Sequence, residues 1–280
     1  MNPLIKWAGG KRQLAEKIIS ILGREYNHYF EPFLGGASVL IYLQPYGATC
    51  YDINSELINM YNIVKRSPEK LITILYDNYV AHHNKEFYYY IRNIDRDPIV
   101  FRTLSDEERA ARFLYLNKTC YNGLWRVNKR GEFNVPFGRY VSPSFTTVET
   151  IMSAHNFFSS NNINFQVKNF FEVENYAQAG DLVYFDPPYD VEQGQNGFVS
   201  YTQSGFTRED QIILKKLCDR LVENGVVVGI SNSNTEFIRS LYLKGEINYK
   251  FYDDLFVNRS IGAQLNTRRK ISELFIVGGL

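Results

Sequence analysis

The sequence predicts an α/β protein: a mostly parallel sheet with helices on both faces, interrupted by an inserted, mainly helical unit that contains a β-hairpin. Short apolar, β-forming runs alternate with helical patterns towards both ends of the chain, the signature of strand–helix–strand units. Residues 66–118 read as helix throughout, with no strand between. Residues 120–140, "CYNGLWRVNKRGEFNVPFGRY", carry turn signals at Asn122-Gly123 and at Lys129-Arg130-Gly131, and so read as a hairpin dividing the αβ material. The sheet is therefore expected from residues 1–55 and 146–280, and the insertion from 56–145.

Taken in order, "YFEPFLGGASV" (29–39) begins as a strand, turns at Gly35-Gly36 and runs into a helix. "GATCYDINSELINMYNIVK" (47–65) gives a second strand ending in Asp52, then a helix with Asn54 or Ser55 as its cap. The helical insertion is rich in tyrosine, as in "HNKEFYYYIRN". After about residue 145 the alternation resumes with the strand "INFQV", the strand "DLVYF", a helix near 207–223, the strand "VVVGIS" and a last strand "KISELFIV". The loop "DVEQGQNGFVSYTQSG" (190–205), with Gly194, Gly197 and Tyr201, reads as a mobile lid or an ordinary surface loop.

Composition narrows the function classes. An apolar fraction of 45% and a charged fraction of 22% in 280 residues are those of a soluble globular protein. No apolar run approaches the ~18 residues of a membrane span, and the N-terminus lacks the apolar stretch of a signal peptide, so a cytoplasmic protein without a membrane partner is expected. Cys50, Cys120 and Cys218 are scattered without pairing or metal spacing, which argues against a disulfide framework and a zinc site. A net charge of +1 means that any polyanion must be met by a local patch. The 21 tyrosines fit either a large core or stacking on bases.

In a parallel αβ sheet, ligands sit beyond the carboxyl ends of the strands, and Phe33, Asp52 and Asp186 all fall at such ends. Gly35-Gly36 lets the backbone turn closely around a ligand, although any tight strand-to-helix turn can use glycine. Asp52 can accept from ribose hydroxyls, but no G-x-G-x-x-G pattern is present, so a nucleoside without a pyrophosphate fits better. S-adenosylmethionine is the common one. The buried run before Asp186-Pro187-Pro188-Tyr189 stops dead, because two prolines cannot donate to a ladder. This turn suits methylation of an exocyclic amine, whose lone pair is conjugated into a base ring. A carboxylate and the Pro187 carbonyl can accept from its two N–H groups and favour the geometry of attack. Tyr189 offers a flat face to a base pulled from its stack. The ordinary alternative is a rigid turn with Asp186 solvated.

Several blocks now line up: "KWAGGKRQL" (6–14), "FEPFLGGASV" (30–39), "YDINSELINMYNIVK" (51–65), "YNGLWRVNKRGEFNVPFGRY" (121–140), "DPPY" and "TRRKISELF" (267–275). In this order they resemble the DNA adenine-N6 methyltransferases of the Dam type, which recognise GATC. The resemblance spans essentially the whole chain. It implies a Rossmann-like, S-adenosylmethionine-dependent methyltransferase sheet with an inserted DNA target-recognition domain, acting on double-stranded DNA by base flipping. It implies that Trp7 and Lys11 help to hold the cofactor, where residue types alone favour core packing for Trp7 and a solvated cation for Lys11. Asp52 matches the family's acid on the ribose, and Phe33 a residue beside the cofactor. Where close relatives often carry Asp after "INFQV", this chain has Asn169, followed by Phe170; the amide still accepts from an adenine amino group, more weakly than a carboxylate.

Residues 118–140 carry five cations (Lys118, Arg126, Lys129, Arg130 and Arg139) against one acid, Glu132, with Tyr121, Trp125, Phe133, Phe137 and Tyr140 interleaved. That composition suits phosphate contact and base stacking, or a solvated hairpin. The resemblance implies that Tyr121 and Asn122 occupy or stabilise the space left by the flipped base, that Leu124, Arg126 and Pro136 read the outer base pairs, that Arg139 meets a phosphate and that Lys6 meets a flanking guanine. Arg268, Arg269 and Lys270 can add phosphate contacts or be solvated. Two alternatives stand beside this reading: a cytosine-N4 methyltransferase, many of which carry Ser where this chain has Asp186, and a catalytically idle DNA-binding protein. A monomer and a weak dimer both fit, and the sequence does not set whether a restriction-modification system is involved.

Overall fold

The computed structural model describes residues 1–190, 205–258 and 270–280, with side chains described at all of these but 254–258 and 270–272. Gly194, Gly197, Tyr201, Arg268 and Arg269, and the side chain of Lys270, lie outside the described residues. Packing divides the chain into two compact units, Met1–Lys11, Gly35–Tyr46 and Asp52–Val167 in one, and Arg12–Leu34, Gly47–Tyr51 and Lys168–Leu280 in the other.

Strands β1 (Tyr29–Glu31), β2 (Ala48–Asp52), β3 (Ile163–Val167), β4 (Leu182–Phe185), β5 (Val227–Ser233), β6 (Lys250–Asn258) and β7 (Lys270–Gly278) form a sheet in the order β3-β2-β1-β4-β5-β7-β6. Strand β1 runs parallel to both β2 and β4, and β4 parallel to β5. Strand β7 runs antiparallel to β5 and β6. All four residues of β4 are buried, as expected for a central strand covered on both faces. The sequence reading does not anticipate β6. Its adjacent Asp253 and Asp254 look like turn residues, and the register shift between Tyr252 and Leu255 is what admits them to a strand.

In the second unit α9 (Arg208–Glu223) starts at a capping box, Thr207 with Asp210, and packs Leu214, Leu217, Cys218 and Leu221 into the core beside Val183, Phe185, Val228 and Ile230. In the first unit α3 (Ser55–Arg66) is capped by Asn54, whose side chain accepts from Glu56 and Leu57 N–H groups. Helix α7 (Asp106–Thr119), opened by a Ser105/Glu108 capping box, is buried along most of its length. Its Arg112 is 2% exposed, donates to the carbonyls of Ile91 and Arg92 and pairs with Asp95 at 2.9 Å. Around α7 the tyrosines of the insertion become core: Tyr79, Tyr88 and Tyr115 are buried, the last two completely. Tyr88 donates to the Val135 carbonyl, so its hydroxyl is not buried unpaired. Among the described residues no helix is long and apolar enough to cross a membrane.

Candidate active site

In the first unit the turn after β1 is built around Trp7. A Cβ placed on Gly35 would stand 2.6 Å from the indole nitrogen, and one on Gly36 2.8 Å from the Trp7 Cβ. The glycine pair therefore makes room for a side chain as well as for a turn. Asp52, at the end of β2, accepts from the Gly35 N–H at 3.1 Å and from the Asn54 N–H at 2.9 Å, and the Tyr61 hydroxyl donates to the Gly35 carbonyl. Burial pushes the Asp52 carboxyl above its ordinary range, while those backbone N–H groups pull it the other way. A carboxylate has about four lone-pair positions, so these bonds fix its direction without exhausting it. Trp7 is half-buried and absent from the core, whereas Lys11 is 4% exposed with Nζ on the Gly9 carbonyl at 2.7 Å. The solvated lysine expected from residue type is overturned by the burial of Lys11, whereas Trp7 is packed against Gly35-Gly36 and only partly withdrawn from solvent.

In the second unit β4 delivers Asp186 to the strand end, half-buried, ahead of a buried Pro187. The turn has no N–H at two successive positions, so side chains hold it. Gln211 donates to the Pro188 carbonyl at 2.9 Å, and the Tyr189 hydroxyl donates to Glu273 at 2.8 Å. Burial, with Asp186 and Glu273 close by, pushes the Tyr189 phenol far above its ordinary range and keeps it a donor. Asp190 is buried and accepts from Arg208 Nε (2.9 Å) and Nη2 (3.1 Å) and from the Thr235 hydroxyl (2.8 Å). Phe33 and Phe170 stack with centroids 5.2 Å apart, and Phe206 meets each edge-on. Asn169 starts a short helical turn whose Glu172 accepts from its N–H, but its own Oδ1 is buried without a hydrogen-bond partner among the described residues. A buried acceptor left unpaired is costly in a native protein. It is what a site for an amino-bearing ligand would contain.

The hairpin belongs to the first unit and is joined by the antiparallel bridges Cys120↔Phe137 and Val127↔Phe133. Asn122 and Gly123 both have positive φ (55° and 64°), and a Cβ on Gly123 would meet the Lys6 Cβ at 2.5 Å. Asn117, fully buried on α7, accepts from the Lys6 N–H and donates to the carbonyls of Lys6 and Gly123. One amide thus fixes Lys6 and the Asn122-Gly123 turn together. Lys6 Nζ lies 4.6 Å from the Tyr140 ring centre. Arg126 is exposed, and its Nε donates to Asn134 Oδ1 at 2.8 Å, which sets the plane of the guanidinium. Tyr121, Pro136 and Arg139 are exposed, and Leu124 is half-buried. Of the interleaved aromatics Phe133 is buried. Trp125, its ring centroid 3.8 Å from that of Phe113 and 4.6 Å from that of Phe133, and Phe137, packed on Tyr88 and His83, are half-buried.

Sequence reading missed the residues that hold others in place: Asn117, Asn134, Gln211, Asn232 and Glu273. The only signal for them was a polar residue at a position whose pattern calls for an apolar one, as with Gln211 on the buried stripe of α9. Among the described residues no group of three or more His, Cys, Asp or Glu side chains is placed to hold a metal ion.

A family model described as D12 class N6 adenine-specific DNA methyltransferase matches residues 7–253. The chain is 40% identical over 276 residues to the Type II methyltransferase M1.LlaDCHI of Lactococcus lactis subsp. cremoris, covering 99% of this chain and 95% of that protein. It is 39% identical over 259 residues to the Type II methyltransferase M.MjaIII of Methanocaldococcus jannaschii, covering 86% and 88%. It is also 36% identical over 274 residues to the DNA adenine methylase of Escherichia coli strain K12, covering 96% and 92%.

Proposed function

The chain belongs to the D12 class of N6 adenine-specific DNA methyltransferases, and we propose that it transfers a methyl group from S-adenosylmethionine to adenine N6 within GATC, with the base flipped from the duplex. The observation that carries this reading is Asp186-Pro187-Pro188-Tyr189 at the end of β4, with Pro188 and Tyr189 each held by a buried side chain. The bound cofactor supplies an electrophilic methyl group. The protein's task is to make N6 a nucleophile and to aim it. The Asp186 carboxylate and the Pro187 carbonyl accept from the two N6 hydrogens, drawing the nitrogen lone pair out of conjugation. Tyr189 supports the ring of the base, and the carboxylate can take the proton that N6 sheds.

The residues present fit the cofactor. In the second unit Asn169 Oδ1 is an acceptor for an adenine amino group, with Phe33 and Phe170 also assigned to the cofactor. In the first unit Asp52 is an acceptor for ribose hydroxyls, with Trp7, Lys11 and Gly35 assigned beside it. Residues 56–145 form the target-recognition part and 1–55 with 146–280 the catalytic part. Arg126, Leu124 and Pro136 read the outer base pairs, Lys6 a flanking guanine, and Tyr121 with Asn122 the gap left by the flipped base. Arg139 meets a phosphate. The substrate is double-stranded DNA in the cytoplasm.

Asp186→Ala tests the chemistry. Asp186 is half-buried at a strand end, so the thermal midpoint should stay within a few degrees of wild type, while transfer of labelled methyl groups to GATC duplexes should vanish. Transfer at near-normal rate would remove Asp186 from the mechanism.

A further inference from the structure

The two peptide planes that flank Tyr189 are both held by one pair of buried amides. The Pro188 carbonyl, on the plane before the tyrosine, accepts from Gln211 Nε2 at 2.9 Å. The Asp190 N–H, on the plane after it, donates to Asn232 Oδ1 at 3.3 Å. Gln211 and Asn232 are themselves joined, Asn232 Nδ2 donating to Gln211 Oε1 at 3.0 Å. Gln211 is 2% exposed and Asn232 fully buried. Ser233 Oγ donates to the Asp190 carbonyl at 2.7 Å, and Glu273 takes the phenol at the far end of the ring. Gln211 stands on the buried side of α9 with Leu214, Lys215, Cys218 and Leu221, where leucine would pack without burying an amide.

We propose that Gln211 and Asn232 are positioning residues whose linked amides fix the backbone on both sides of Tyr189. With the Glu273 contact, they pre-orient its ring for the target base. The inference rests on the reading of Tyr189 as the support for that base. The physical reason lies in the prolines. Pro187 and Pro188 remove two donors from the turn, and the ladder between β4 and β5 stops at Phe185↔Ile230, so the sheet cannot set the planes around Tyr189. A preorganised support saves the reaction from ordering it at each turnover, and misplacement by about 1 Å can cost on the order of 100-fold in rate.

The test measures methyl transfer to a GATC duplex, with kcat, KM for DNA and affinity for S-adenosylmethionine determined separately. Gln211→Leu fills the stripe and removes the amide. Its kcat should fall about 10- to 100-fold, with cofactor affinity and thermal midpoint close to wild type. Combined with Tyr189→Ala, it should add little further loss, because both changes act on one ring. Gln211→Glu can donate to the Pro188 carbonyl only as the protonated acid. Its rate relative to wild type should therefore rise as pH falls, while the Gln211→Leu ratio stays flat. Full kcat in Gln211→Leu, with Tyr189→Ala impaired, overturns the positioning role alone. Should Gln211→Leu not fold, a Gln211→Glu ratio that does not change with pH overturns it equally. Full kcat in Tyr189→Ala instead overturns the reading of the tyrosine on which the inference rests.

Discussion

A methyl group added at Gly35 would stand 2.6 Å from the Trp7 indole nitrogen, on backbone with φ of +46°. The conformation alone disfavours any L side chain by about 1–2 kcal/mol, and the contact must push Trp7 aside. Gly35→Ala should therefore weaken S-adenosylmethionine binding at least tenfold by calorimetric titration; unchanged affinity would separate Trp7 from the cofactor. Asp52→Ala should weaken the same binding by roughly 1–3 kcal/mol, the cost of leaving buried polar partners unpaired. Lys118 offers a pH test. Burial, aided by the Lys6 ammonium, pushes the Lys118 ammonium down to about 8. An unfolded lysine keeps its proton to about 10.4, so between the two values unfolding takes up a proton and stability rises with pH. The stability of wild type relative to Lys118→Met should climb from about pH 7 to about pH 10, and a flat difference in urea unfolding would contradict the burial of that charge. At this scale the sequence made residue types legible but not their neighbours. Gly35-Gly36 reads as a turn, yet only the fold reveals Trp7 seated against it.

Among the elements, the hairpin exposes both Arg126, whose guanidinium is held by Asn134, and Arg139. We propose that the first meets a guanine and the second a phosphate. Arg126→Ala should lose roughly 1–3 kcal/mol of discrimination at one outer base pair, so that near-cognate duplexes become methylated. Arg139→Ala should slow all duplexes alike and flatten the salt dependence of binding by about one phosphate contact. Equal slowing at every site by Arg126→Ala would make that arginine a phosphate anchor. The turns of the hairpin were legible because Asn122, Gly123 and Gly131 adopt the positive φ that their residue types favour. The use of its aromatics was not. Composition cannot separate a tryptophan that stacks on Phe113 from one that stacks on a base; Phe133 is core, while Trp125 and Phe137 are half-buried and packed on neighbouring rings.

At the level of the whole molecule, the alternation of strands and helices made a mostly parallel sheet legible, because β1, β2, β4 and β5 are buried apolar runs ending in turn signals. Strand β6 was hidden by its paired aspartates, and the buried amides by their ordinary residue types. We propose that the turn after β4 methylates adenine N6 and that the hairpin selects GATC. Single-molecule sequencing of DNA from a methylation-free host expressing the chain tests both halves at once. The expected map has N6-methyladenine at GATC with wild type and none with Asp186→Ala. Modified cytosine, or N6-methyladenine confined to a motif other than GATC, would contradict it.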